Sequence, residues 1–351
     1  MNPPATRKYD VVFHPRWWRE RAGVDMGEGF WNDPETRIAA DMKMRAALYR
    51  LFGGHGLGTE RPAPRPLVGT DLLASGWFAS ALLGCGVAFA ADQPPQVLCR
   101  NLDDAGAASL EKPDFDASPV WQSLQRQLDY LQRAYGHVET HLNLMGVQNV
   151  AMDLRGEELF VDYYGEDSPA DHLLEVCCDT LLEIGRRLRA YSARLSSGVT
   201  SIMALVAPEV YLTSNCSVEM ISLRQYRERL LPHDRRLALA FPPFGVHHCG
   251  QTMEHVADGY AQLPHLRFVE AGAGSDLRQV ADRLPGDVLI NARYSPVALA
   301  RQTPADIAAK VAEIRALVPG PRLSISCVGI DDSVPDDRVG AFLDACRRCL
   351  G

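Results

Sequence analysis

Short apolar runs alternate with segments of helical period along most of this chain. The runs that read as strands are Val138 to Leu144, Thr200 to Val206, Leu237 to Leu239 with Gly245 to His247, Leu266 to Val269, Val288 to Asn291 and Arg322 to Cys327. The 3.6-residue pattern predicts helices over Trp121 to Tyr135, Ser168 to Ser192, Ser222 to Arg236, Gln251 to Gln262, Asp276 to Arg283, Pro304 to Leu317 and Pro335 to Leu350. The last four strands are each followed closely by a helix, which is the rhythm of a parallel sheet. Before them, Asp33-Pro34 opens a helix whose apolar face runs through Ile38, Met42, Leu48 and Leu51 to Gly53-Gly54, and the Pro-rich "ERPAPRP" follows. The expectation is an α/β protein, a (β/α)8 TIM-type barrel over residues 66–351 with an N-terminal helical extension over residues 1–65. No glycine fingerprint opens a βαβ unit, which speaks against a dinucleotide-binding doubly wound sheet.

Composition narrows the class. The 351 residues carry 36 Lys and Arg against 44 Asp and Glu, a formal charge of −8, with no basic run longer than two, so a nucleic-acid or anionic-membrane partner is not expected. The most apolar window, Leu67 to Ala91, contains Asp71 and several glycines and ends at "DQPP"; it reads as buried barrel wall, not a membrane span. The first residues lack the uninterrupted apolar stretch of a secretory signal, so the expected compartment is the cytoplasm with its nine cysteines reduced. "GGHGLG" at Gly53 to Gly58 lacks the Lys-Ser/Thr of a phosphate loop and reads as an ordinary turn after a helix. Cys177-Cys178 and Cys346-x-x-Cys349 fall within predicted helices and read as packing residues.

The chemistry concentrates in "FGVHHCGQ", Phe244 to Gln251. His247 and Cys249 stand two apart in extended chain and leave it on one face, whereas His248 points the other way. Imidazole with thiolate is a donor set that suits zinc, and the C-terminal end of a barrel strand is where ligands belong. The same rule places Glu270, Asn291 and Cys327 at the ends of later strands. Cys327 is the natural third ligand; Glu270 is the candidate for a displaceable fourth, and Cys216 in "LTSNCSVEM" competes with it.

These residues carry a resemblance. The chain resembles the uroporphyrinogen decarboxylase superfamily, and within it the corrinoid-dependent, zinc-containing methyltransferases that act on a thiol such as coenzyme M. "VHHCGQ" is similar to the His-x-Cys-Gly zinc motif, "INARYSPVALARQTPADI" to the Asn-bearing loop and helix that follow, and "SISCVGIDDSVPDDRV" to the final Cys with its acidic continuation. "LNLMGVQNVAMDLRGEELFVDYYGEDSPADHLLEV" and "NCSVEMISLRQYRERLLPHDRRL" are similar to two earlier blocks. The resemblance implies zinc held by His247, Cys249, Cys327 and Glu270, with Glu270 and Asn291 in catalytic roles. It further implies a methyl group moved between a corrinoid (methylcobamide) and a small thiol. No corrinoid-binding "D-x-H-x-x-G" signature occurs, so the corrinoid is expected on a separate protein or free. Monomer and homodimer both remain open.

Two other readings stand beside this one. One is a decarboxylase of a tetrapyrrole or other polycarboxylate, which needs clustered cations and no metal; the N-terminal "FHPRWWRERAGVDMGEGFWNDPETR" departs from the arginine-rich segment of such enzymes. The other is a non-catalytic zinc- or corrinoid-handling barrel. Trp17, Trp18, Trp31, Tyr163 and Tyr164 are aromatics for the barrel mouth and carry no assigned catalytic role.

Overall fold

The computed structural model describes residues 7–165, 168–192, 195 and 206–351. Among these residues ten strands occur: β1 (Tyr9–Phe13), β2 (Leu67–Gly69), β3 (Gly86–Ala90), β4 (Gln93–Leu98), β5 (Glu139–His141), β6 (Tyr211–Ser214), β7 (Phe244–His248), β8 (Leu266–Ala271), β9 (Leu289–Tyr294) and β10 (Leu323–Ile330). Six of them form one curled parallel sheet in the order β1-β10-β9-β8-β7-β6, and β2 and β5 form a second parallel pair. A parallel bridge between Met145 and Ser214 ties the segment after β5 to β6. The eight parallel strands, with helices packed on their outer faces, make a TIM-type α/β fold.

Alternation along the strands separates two apolar layers. Val12, Val210, Leu212, Phe268 and Val328 pack together inside the barrel. Ile290, Ala292, Leu323, Ile325 and Cys327 belong to the larger core between the sheet and the helices. Helix starts follow elementary capping chemistry: Asp33 accepts the Thr36 amide at 3.0 Å with Pro34 in the first turn, and Thr303 and Asp306 close a reciprocal capping box.

Several expectations change. The boundary at residue 65 does not separate an extension from a barrel, because β1 lies before it and pairs with β10 along its whole length. Leu237–Leu239 is not a strand but part of the helix Leu231–Ala240, and the strand begins at Phe244. The expected helix over Gln251–Gln262 shrinks to Ala257–Tyr260. Leu67–Ala91 is barrel wall only at β2; its end forms the antiparallel β3–β4 hairpin, half exposed. Of the expected strand Thr200–Val206, only Val206 lies within the described residues. Gly53–His55 is a short 3-10 turn closing the helix Pro34–Phe52, as the loop reading expects. No helix among the described residues is long and apolar enough to cross a membrane.

Candidate metal centre

Register builds this site. Ser214 on β6 pairs with His247 on β7, and His247 pairs with Glu270 on β8, which pairs with Asn291 on β9 and through it with Ser324 on β10. Side chains in one row of a parallel sheet share a face, so these five residues point into the barrel together. Two residues beyond the first pair stand Cys216 and Cys249, at the same offset from Ser214 and His247. Their sulfurs lie 2.9 Å apart, the Cys249 thiol donating to Cys216, and neither is in a disulfide.

Cys216, His247 and Cys249 each offer a donor atom within 4.8 Å of the others. Among the described residues this is the group whose geometry can hold a metal ion. Two thiols and an imidazole fit zinc. Bonding to the Cys249 thiol lowers the pKa of Cys216 against the opposing effect of burial, and the same bond, with burial, raises that of Cys249.

Glu270 lies behind the imidazole. One carboxylate oxygen is hydrogen-bonded to Nδ1 of His247 and the other accepts Nη1 of Arg293 at 2.6 Å. Burial alone would neutralise both members of the first pair. His247 and Arg293 outweigh it and hold Glu270 down to about 2, while Glu270, with Cys249, lifts His247 to about 9. With Nδ1 engaged by the carboxylate, Nε2 is the nitrogen left for a metal, the carboxylate–histidine arrangement common around metal sites.

The structure therefore brings together His247, Cys249 and Cys216, with Glu270 supporting the imidazole. It does not bring Cys327 to them. Cys327 pairs with Tyr294 and alternates with Ser326 and Val328, which face inward; its own side chain is fully buried in the outer core, where desolvation pushes its thiol up to about 12. Asn291 is also fully buried, with both ends of its amide occupied: Nδ2 donates to Ser324 Oγ at 2.8 Å, and Oδ1 accepts from Ser326 Oγ at 2.6 Å. It braces adjacent strands.

Sequence reasoning missed Arg293, two residues past Asn291 and facing inward with it, and did not see the network behind the cysteines. There Asn215 Nδ2 and Tyr226 Oη both donate to one oxygen of Asp234, at 2.7 and 2.9 Å. His248, facing outward, has Nε2 on the Thr252 carbonyl at 3.0 Å, so Nδ1 accepts from Tyr260 Oη at 2.8 Å. Desolvation holds this imidazole neutral, its pKa near 4. The loops above are closely packed: Glu219 accepts the Gln251 amide, and Gly272 lies against the Gly250 carbonyl. Trp17 and Trp18 are core residues, the first stacked on Phe13 and the second edge to face with it, whereas Tyr164 is exposed.

No protein-family model and no curated protein sequence matches the chain. Among solved structures it is similar to a methyltransferase from Methanosarcina mazei, with a TM-score of 0.63 at 14% identity over 97% of this chain and 94% of that one. It is also similar to a B12-independent methionine synthase from Shewanella sp. W3-18-1, determined in complex with selenomethionine, with a TM-score of 0.50 at 9% identity over 99% of this chain and 96% of that one. At such identities the likeness is one of fold.

Proposed function

We propose that this protein is a zinc-dependent methyltransferase that moves a methyl group between a corrinoid and a small thiol. The observation that carries the reading is the convergence of Cys216, His247 and Cys249 at the strand ends of a TIM-type barrel whose solved neighbours include a methyltransferase and a methionine synthase. Active sites in this architecture lie at that face.

The residues fit zinc by donor chemistry, and three protein donors leave a position for an exogenous sulfur. Bound there, zinc would supply a deprotonated thiol at neutral pH, where a free thiol of pKa about 8.5 is mostly protonated. The chain's own contribution is positional. Glu270 fixes the imidazole through Nδ1, Arg293 keeps Glu270 ionised, and the Ser214–His247 register sets the two cysteines side by side. The corrinoid is substrate here, delivered free or by a separate protein.

The decarboxylase reading gains nothing from the interior. The inward positions of β6 to β10 carry one arginine, Arg293, and Glu270 already neutralises it.

The test is elemental analysis of the purified protein beside His247→Ala and Cys216→Ala, followed by transfer from methylcobalamin to a panel of thiols. About one zinc per chain, lost in both variants, with methyl transfer only in the wild type, is the expected result. Zinc binding without transfer to any thiol would leave the non-catalytic barrel as the answer; no zinc uptake would remove the metal centre.

A further inference from the structure

Away from Cys216 and Cys249, on the strand-end face beside β2 and β5, a cavity of about 340 Å³ lined in part by Cys85 opens between the helix Pro119–Tyr135 and the β3–β4 hairpin. Its walls are aromatic: Trp31, Trp77, Phe78 and Phe89. Trp77 meets Trp31 edge to face with centroids 6.2 Å apart, and meets Phe89 in the same way at 5.3 Å. No charged side chain lines this chamber. A second cavity of about 400 Å³ shares Asn32, Ser123 and Gln127 with it and is bordered by Asp33, Glu35 and Arg126, giving the aromatic chamber a polar vestibule.

The shared wall holds an unspent donor. Gln127 is nine-tenths buried, and its amide orientation is settled by Arg37, which can only donate: Arg37 Nη2 donates to Gln127 Oε1 at 2.8 Å. Arg37 itself is held by the carbonyls of Leu67, Phe30 and Trp31. The Gln127 Nε2 group therefore faces away from Arg37, and no described residue accepts from it. Ser123, one helical turn earlier on the same face, lines both cavities beside it. Gln127 lines both cavities, so its free amide donor is open to whatever ligand or water enters them.

We propose that this chamber is a second ligand site, for a small, neutral, planar aromatic molecule bearing a carbonyl or ether oxygen. The flat ring extends the edge-to-face cluster around Trp77, and the oxygen accepts from Gln127 Nε2. The absence of charged lining residues selects against carboxylates, phosphates and quaternary ammonium compounds, which would enter without a counterion. The site does not depend on the metal centre.

Acetophenone, an aromatic ketone that only accepts hydrogen bonds, is the probe, titrated into the full-length protein by calorimetry and by ligand-observed NMR. Two variants bracket it. Gln127→Glu keeps an oxygen for Arg37 and so preserves the fold's contact, but replaces the donor with an acceptor. Ala81→Phe fills the chamber from the helix Phe78–Leu82. Saturable binding to wild type, weakened about tenfold by Gln127→Glu, as expected for one lost hydrogen bond, and abolished by Ala81→Phe, is the expected result. Thermal melts and zinc content matching wild type show that both variants fold. Absence of saturable binding to the wild type overturns the proposal, as does binding that both folded variants retain. If one variant fails to fold, the other together with the wild-type titration decides it.

Discussion

Glu270 and His247 face each other across neighbouring strands, the carboxylate engaging Nδ1 while its other oxygen holds Arg293. Glu270 and His247 are buried and Arg293 is largely so, and each charge depends on the others. Replacing Glu270 by Gln preserves the shape of the contact but removes the charge that orients and polarises the imidazole. Zinc affinity measured by chelator competition is expected to fall about 10–100-fold. Glu270→Ala is expected to cost more in stability, about 3–5 kcal/mol in urea unfolding, because it strands Arg293 in the interior. Native zinc affinity in Glu270→Gln would show that the carboxylate does not orient the ligand.

Cysteine replacements separate the two faces of the sheet. Cys216→Ala and Cys249→Ala each remove a converging sulfur, and both proteins are expected to lose bound zinc. Cys327→Ala is expected to keep it and to lose about 1 kcal/mol of stability, from a small cavity in the outer core. Zinc lost from Cys327→Ala and retained in Cys216→Ala would reverse the assignment.

Why Cys327 looks like a ligand in the sequence, and Cys216 looks secondary, follows from what a strand-end rule can see. Apolar runs rich in branched residues with helices close behind made β7 to β10 legible, and with them His247, Cys249 and Glu270. The rule fixes neither the last residue of a strand nor the phase of its alternation: β10 runs on to Ile330, and Cys327 falls mid-strand on the outer face. β6 has four residues, β1 five and β2 three; runs this short do not stand out by pattern, and pairing in the sheet defines them. Without β6, nothing shows that Cys216 and Cys249 share an offset. The hidden β1 likewise made residues 1–65 read as an appendage. Leu237–Leu239 reads as a strand locally, but it closes a helix with Pro232 in its first turn.

Asp234 gives the fold a specific pH response. It is fully buried, one oxygen accepts from Asn215 and Tyr226, and the other has no partner. Desolvation outweighs those two hydrogen bonds and raises its pKa from 3.8 to about 6. An acid raised on folding holds its proton more tightly in the native state. Its contribution to stability is therefore full below about pH 4 and is lost as pH climbs through about 6, on the order of 2–3 kcal/mol in all. Asp234→Asn cannot ionise, so the difference in unfolding free energy between variant and wild type is expected to shift in the variant's favour between pH 4 and 7. A difference that stays constant across that range would mean Asp234 titrates as an ordinary carboxyl.

Gly272 tests whether the metal centre depends on the packing of the loops above it. A Cβ built there lies 1.5 Å from the Gly250 carbonyl oxygen, next to Cys249. That obstacle is backbone, which no rotamer change can clear, so Gly272→Ala must push the Cys249–Gly250 segment or its own strand end aside. A shift of even a fraction of an ångström spoils the convergence of Cys249 with Cys216 and His247, and zinc affinity is expected to drop at least tenfold. Gly286→Ala is the control, since a Cβ there meets nothing within 4 Å. It should leave zinc affinity unchanged and stability within about 0.5 kcal/mol of wild type. Equal zinc affinities in the two variants would mean that the loop after β8 does not set the position of Cys249.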